Sequence, residues 1–203
     1  MWVVLALALV CAWLQRGVKV QRHAVAALRH AGATVYYSPS RENLWAPGWL
    51  VSAVGIDYFA QVRFVSLRGK AKDDDLAEIN TLTQLYELDL SKSQITDAGL
   101  FHLKGLAHLE ILKLHKTQVS DAGMVHLTEL PALQILYLVD TNVTQAAVGD
   151  LKKLHGILSL RLPVTFSEVG KEELKNALPQ ALVKSGYPAL QHVSLDQQEK
   201  FDW

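Results

Sequence analysis

Between Leu85 and Leu162 the sequence repeats itself every 24 residues. Leu85, Leu109, Leu133 and Ile157 stand in register, as do Leu88, Leu112, Leu136 and Leu160, and Leu90, Leu114, Leu138 and Leu162. A second set follows in each copy: Ile95, Val119 and Val143; Leu100, Met124 and Val148; Leu103, Leu127 and Leu151; Leu106, Leu130 and Leu154. These seven columns stay apolar over three or four copies. The first part of each copy alternates with period two, as a short strand does. The later part places apolar residues three apart, as one or two helical turns do. A copy is therefore a strand plus a short helix. No copy can bury its own leucines, so neighbours must stack into a continuous core.

Each copy reads L-x-x-L-x-L-x-x-(S/T)-x-(I/V)-(S/T)-(D/Q)-A-(G/A). Two copies carry Thr96-Asp97-Ala98-Gly99-Leu100 and Ser120-Asp121-Ala122-Gly123-Met124, and the third drifts to Thr144-Gln145-Ala146-Ala147-Val148. In this pattern the chain resembles the leucine-rich repeat family, and within it the subclass with T-D-A-G-L repeats, found in eukaryotic substrate adaptors and in bacterial proteins with a hydrophobic N-terminal anchor. The resemblance covers about half the chain. It implies an α/β solenoid, with a short arc of parallel strands on the concave face, short helices on the convex face and a cap at each end. It also implies a binding role, with no partner named. Thr96, Ser120 and Thr144 are expected to cap their helices by accepting a backbone N–H. Asp97 and Asp121 then lie in the first turn, and Gly99 and Gly123 leave room where repeats approach closely. These roles are structural, and neither aspartate is read as catalytic.

Half of the 203 residues are hydrophobic, enough for a substantial core. Twenty basic residues balance twenty acidic ones, so nothing calls for nucleic acid or an anionic membrane surface. A single cysteine, Cys11, rules out an intramolecular disulfide and a cysteine-based structural zinc site.

Residues 1–14 form an unbroken apolar run. As a helix it would reach roughly 21 Å, short of a ~30 Å hydrocarbon core. The run is read as a membrane anchor whose upstream end is missing or mis-started. A signal peptide is the competing reading, but no basic residue precedes the run and no clean small-residue cleavage site follows it. A lipoprotein signal ending at Cys11 is disfavoured by the bulk of Val10, and a buried N-terminal helix is the remaining alternative. Arg16, Lys19, Arg22 and Arg29 follow the run, but a missing basic N-terminus would reverse the orientation they imply.

Residues 15–61 are read as the N-terminal cap, since a solenoid exposes its core at each end. Within it, 18–30 is a helix with Val20, Ala24, Ala27 and Leu28 on one face, stopped by Gly32. Residues 33–38 form a strand, 38–48 a loop, and the apolar 49–59 packs on the first repeat. Residues 62–162 are the repeats. The first copy is degenerate and one residue short, carrying Val62, Val65, Leu67, Leu76, Ile79 and Leu82. Its charged stretch from Lys70 to Asp75 lacks the glycine turn and the closing glutamate of a known calcium loop. It is read as a solvated loop with aspartates at a helix N-terminus. Residues 163–183 are the C-terminal cap, with a helix over 167–177 facing inward through Val169 or Gly170, Leu174 and Leu178. Ala177-Leu178-Pro179 resembles the closing segment of the anchored bacterial members. The tail, 184–203, contains an alternating piece at 190–195 that could add an edge strand.

In such a repeat the strand leucines point inward and the residues between them point out. Three outward columns follow: Phe64, Glu87, Ile111, Ile135 and Ser159; Ser66, Asp89, Lys113, Tyr137 and Arg161; Arg68, Ser91, His115, Val139 and Pro163. Five strands at ~4.8 Å spacing span roughly 20 Å. Ile111, Ile135, Tyr137 and Val139 are expected to form an exposed apolar cluster framed by Glu87, Asp89, Lys113 and Arg161, the composition of a protein contact. With Phe64, Arg68 and His115 these residues make the candidate partner-binding face. No catalytic residue, metal ligand or cofactor is assigned: the sequence holds no G-x-S-x-G, phosphate loop, H-E-x-x-H or dinucleotide fingerprint. A His102–His126–Asp150 column is conceivable as a metal site, but the convex helices carrying it stand far apart. The expected function is a non-catalytic, membrane-anchored protein-binding module. The alternatives are a structural protein that self-associates through its ends or tail and, below that, an unrecognised metal-dependent enzyme.

Overall fold

A computed structural model of the chain describes residues 18–38, 47–56 and 60–187. The apolar run at 1–14, most of the 38–48 loop and the alternating piece at 190–195 lie outside the described residues. Residues 18–30 form helix α1. Its inward face is Ala24, Val25 and Leu28, all buried. Val20 is 47% exposed, so the inward face is set around Val25 rather than Val20. Gly32, at φ +85°, ends the helix. Its N–H donates to the Arg29 carbonyl and that of Ala33 to the Leu28 carbonyl, the paired bonds that satisfy a helix C-terminus.

Strand β1 (Thr34–Ser38) then pairs antiparallel with β2 (Gln61–Ser66). From β2 onward every pairing is parallel: β3 (Glu87–Asp89), β4 (Ile111–Lys113), β5 (Ile135–Tyr137), β6 (Ser159–Leu162) and β7 (Leu182–Ser185) follow in chain order. The N-terminal cap thus shields the first parallel strand with a reversed one. Helix α2 (Gly48–Val54) contributes Val51 to the interior, whereas its Trp49 is 72% exposed. The expected packing of the 49–59 stretch is met only in part.

Leu88, Leu112, Leu136 and Leu160 are register partners across β3–β6, and each is fully buried. The columns at Leu85 and Leu90 are buried along their whole length as well. On the other side lie α3 (Asp97–Phe101), α4 (Met124–Leu127) and α5 (Val148–Leu151), the last two each entered through a tight helical turn. Their apolar residues, from Leu100, Met124 and Val148 to Leu106, Leu130 and Leu154, close the core from behind. The result is an α/β solenoid.

Two ladders tie the repeats together beyond the leucines. One runs along the turns after the strands. Lys92, Lys116 and Asp140 occupy the same position of successive copies and are all left-handed, at φ 60°, 57° and 56°. That conformation costs a non-glycine residue roughly 1–2 kcal/mol. Hydrogen bonds hold it: the Lys92 and Lys116 amides donate to the carbonyls of His115 and Val139 in the next repeat. The Ser93, Thr117 and Thr141 hydroxyls donate to the Leu90, Leu114 and Leu138 carbonyls.

The second ladder runs along the helix starts. The Asp97 carboxylate accepts the Ser120 N–H at 2.8 Å and the Ser120 hydroxyl at 2.6 Å. Asp121 holds Thr144 in the same way, and Asp73 holds Thr96. Asp73 stands 24 residues before Asp97, so the degenerate copy keeps this element. The role of Asp73 in the charged Lys70–Asp75 stretch is thereby set. Thr96 and Thr144 also cap their helices, accepting the N–H of Ala98 and Ala146. Ser120 makes no such cap, contrary to expectation, and its hydroxyl is given to Asp97. The ladder also crowds the glycines: a Cβ on Gly99 would lie 2.3 Å from Asp73 Oδ1 and one on Gly123 2.3 Å from Asp97 Oδ1, whereas the Asp121–Thr144 rung accommodates Ala147.

Beyond β6, Ser167 caps α6 (Glu168–Ala177) by accepting the Gly170 N–H at 3.0 Å. Gly170, Leu174 and Leu178 face inward and Val169 is 70% exposed, which settles the alternative between Val169 and Gly170. The strand that follows, β7, straddles the expected boundary between cap and tail at 183/184. It adds to the sheet in parallel with β6, with Val183 buried opposite Leu160.

Candidate concave binding face

The register reproduces the first two outward columns. Phe64, Glu87, Ile111, Ile135 and Ser159 are partners across successive strands, as are Ser66, Asp89, Lys113, Tyr137 and Arg161. Both columns run further than expected. Tyr36 stands opposite Phe64 with ring centroids 5.0 Å apart, and Leu182 and Lys184 continue the columns on β7. Phe64, Ile111, Ile135 and Tyr137 are all half-buried, so each keeps an outward surface. The Lys113 ammonium lies 2.6 Å from Glu87 Oε1, pairing the two charges on one side of the isoleucines. Arg161 flanks Tyr137 from the other side.

Two expected members do not belong to the open surface. Val139 is 1% exposed and is a core residue rather than part of an exposed cluster. Asp89 is 5% exposed, and its Oδ1 accepts the Ser91 N–H at 2.9 Å, so it stabilises the turn instead of framing the patch. The whole third column changes character for this reason. It lies where the strands turn toward the core, and Ser91, Val139 and Pro163 are all buried there, leaving Arg68 exposed and His115 half-buried.

His115 Nδ1 is 2.9 Å from the Ser91 hydroxyl. Burial pushes the imidazole below its ordinary range. Asp89 opposes that shift, and Arg68, Lys113 and Lys92 reinforce it. Serine, histidine and aspartate are the residue types of a hydrolytic triad, but this Ser91 is fully buried and Asp89 bonds to the Ser91 amide. The cluster is turn architecture.

One residue of this region escaped the sequence reading. Tyr187, just past β7, reaches back across the turns. Its hydroxyl donates to Asp140 Oδ2 at 2.8 Å, its ring stands edge-on to His115 at 5.9 Å, and the Lys116 ammonium is 5.8 Å from its ring centre. Burial first, then the hydrogen bond and charge of Asp140, push its phenol up to about 12 against the opposing charge of Arg68. A folded-state value above the ordinary 10 means that the contact stabilises the fold fully below pH 10 and is lost as pH rises through about 12. In an absorbance titration at the phenolate band, Tyr187→Phe is expected to remove a late-titrating phenol. Removal of an ordinary phenol would refute the contact.

On the convex side, His102 and His126 each stand edge-on to Phe101, at 6.0 and 5.8 Å, and Asp150 accepts from the Lys153 ammonium at 2.7 Å. The two histidines therefore share the Phe101 ring, while Asp150 is engaged by Lys153. Among the described residues no three His, Cys, Asp or Glu side chains converge as metal ligands do. No helix among the described residues is long and apolar enough to cross a membrane.

A family model described as Leucine rich repeat matches residues 83–143. No curated protein matches the chain. Among solved structures it is similar to a leucine-rich repeat protein of Leptospira interrogans, at 25% identity and a TM-score of 0.41 over 53% of this chain and 27% of that one. It is also similar to the leucine-rich repeat ectodomain of the receptor kinase SOBIR1 from Arabidopsis thaliana, at 16% identity and a TM-score of 0.48 over 82% of this chain and 91% of that one. An internalin of Listeria monocytogenes aligns at 18% identity and a TM-score of 0.38 over 55% of this chain and 38% of that one. The chain spans well under half the length of the Leptospira and Listeria proteins. With the family model lying on the stacked strand-and-helix copies described above, residues 83–143 are leucine-rich repeats.

Proposed function

We propose that the chain is a non-catalytic protein-interaction module that binds its partner on the concave face of β2–β6 and is held at a membrane by residues 1–14. The leucine-rich repeat fold supports a protein-interaction role. The observation that carries the concave site is the in-register apolar cluster of Ile111, Ile135 and Tyr137, bordered by the Glu87–Lys113 pair and by Arg161. Half-buried apolar side chains with a charged rim provide contact area, while the charges set orientation and partner choice. Tyrosine and arginine are also the residues most often found where binding energy concentrates. Membrane attachment rests on the unbroken apolar run at the N-terminus. The balanced charge of the chain favours a protein partner over nucleic acid.

Ile135→Asp, made in the full chain and shown by melting temperature to be folded, is expected to weaken partner binding by about 10- to 100-fold, the loss of one central contact. The measurement is a pull-down followed by titration of the captured partner. Unchanged affinity would move the site off the concave face.

A second reading has its own observation. Among the described residues β7 is the last strand of the sheet and Leu182 on it is 48% exposed, which supports pairing of its outer edge with another copy. That reading, a self-associating structural protein, requires concentration-dependent oligomers that Leu182→Asp abolishes.

A further inference from the structure

We propose that the turns after β4 and β5 form a subsite for an unmodified tyrosine side chain, which this chain fills with its own Tyr187 and a partner's tyrosine would fill by displacing it. The proposal deepens the concave-face reading by naming one group the partner presents, and it rests on that reading only for the partner. The subsite itself stands on three side chains. Asp140 supplies a carboxylate acceptor 2.8 Å from the phenol oxygen. His115 lies edge-on to the ring at 5.9 Å, and Lys116 brings a cation to 5.8 Å of its centre.

The backbone that carries these side chains, and the His115 ring, are held in place independently of Tyr187. Lys116 and Asp140 sit at the left-handed turn positions, and His115 is fixed through Nδ1 by the buried Ser91 hydroxyl. The Lys116 amide is tied to the Val139 carbonyl at 3.0 Å, and the Thr141 hydroxyl closes the turn that carries Asp140. The turn ladder therefore fixes the backbone of the site, and Tyr187 reaches it from 47 residues further along the chain.

The chemistry selects among aromatic groups. A ring beside a histidine edge and a cation suits any aromatic side chain. The carboxylate then demands an O–H donor at the far end of the ring, which phenylalanine lacks. A phosphorylated or sulfated tyrosine would bring an anion against Asp140 and be repelled. The raised phenol of Tyr187 fits the same picture, since Asp140 favours the protonated form. Tyr187 is itself half-exposed, so it is open to exchange with an incoming side chain. The subsite adjoins the second outward column, because Lys113 precedes His115 by two residues and Tyr137 lies three before Asp140. A partner on Ile111, Ile135 and Tyr137 would therefore reach it.

The test uses p-cresol, the tyrosine side chain as a free molecule, titrated into the full chain while the ring resonances of His115 are followed by NMR. Tyr187→Ala is expected to show saturable shifts at His115, the unchanged chain much smaller ones, and Tyr187→Ala with Asp140→Gly several-fold weaker binding. Glycine suits the left-handed backbone at 140, so this second change removes the carboxylate without strain. Toluene, which lacks the hydroxyl, should bind several-fold more weakly. Should Tyr187→Ala loosen the fold, Tyr187→Phe decides, because it keeps the ring and lacks only the bond to Asp140; it should respond more strongly than the unchanged chain. Equal responses with and without Tyr187, or no response in a folded variant, would overturn the proposal. The outcome is separable from the concave-face test: if Ile135→Asp leaves partner binding unchanged, the face is wrong, while p-cresol still decides the subsite.

Discussion

Leu112→Ala is expected to destabilise the chain by about 2–5 kcal/mol, the cost of a lost side chain plus the cavity it leaves. Leu112 is fully buried and stands between Leu88 and Leu136, its register partners on either side. In a solenoid each copy leans only on its neighbours, so a cavity in β4 weakens both flanking interfaces at once. Urea unfolding gives the measurement. A contrasting variant is one residue away: Ile111→Ala, on the outward side of the same strand, should cost far less. If the two costs were reversed, the strand register would be off by one, since a single step flips every side chain to the other face.

Asp97→Ala is expected to cost about 1–3 kcal/mol, because it removes both acceptors that hold Ser120 across the repeat boundary. Asp97→Asn keeps an acceptor without its charge and should fall between. The geometry adds a sharper test. A Cβ on Gly123 would meet Asp97 Oδ1 at 2.3 Å and Leu100 Cδ1 at 2.9 Å. Gly123→Ala should therefore be harmful in the unchanged chain and less so once Asp97 is alanine. Only the Leu100 clash would then remain. A double-mutant cycle by urea unfolding reads this coupling. Strict additivity would mean that the carboxylate and the glycine are independent, contrary to the ladder. The third copy already carries Ala147 at the glycine position, and it is buried there.

The N-terminal run and the tail bear on where the module works and on what reaches its face. If residues 1–14 hold the chain at a bilayer, the partner is met in the plane of a membrane, where a small face of five to seven strands can suffice by confinement. If Tyr187 guards the rim, a partner lacking a tyrosine would bind the centre of the face without displacing it. The p-cresol titration decides the subsite before any partner is known.

Much of this molecule follows from its periodicity alone. A leucine at every third and second place of a 24-residue unit can be buried only if strands stack in register, and Leu88, Leu112, Leu136 and Leu160 do so. The same argument makes Ile111, Ile135, Tyr137 and Lys113 outward neighbours, and a separate one, a glycine closing an apolar helical face, marks Gly32 as a helix stop. What the pattern did not decide depends on contacts between residues far apart in the chain or on the angle at which a strand ends. Val139 continues the outward alternation on paper, yet the chain bends into its turn there and buries it, while Asp89 keeps its strand place beside Lys113 and accepts the Ser91 N–H. The Asp73–Thr96 link was hidden because its aspartate sits in a run of three. Strand β7 has no leucine pattern of its own and exists because β6 offers it a free edge. Tyr187 meets Asp140 and His115 only because the last strand closes the sheet and turns the chain back over the rim. Local periodicity specifies which face of each repeat is buried. The meeting of side chains 47 and more residues apart is settled by how the repeats stack and how the ends fold over them.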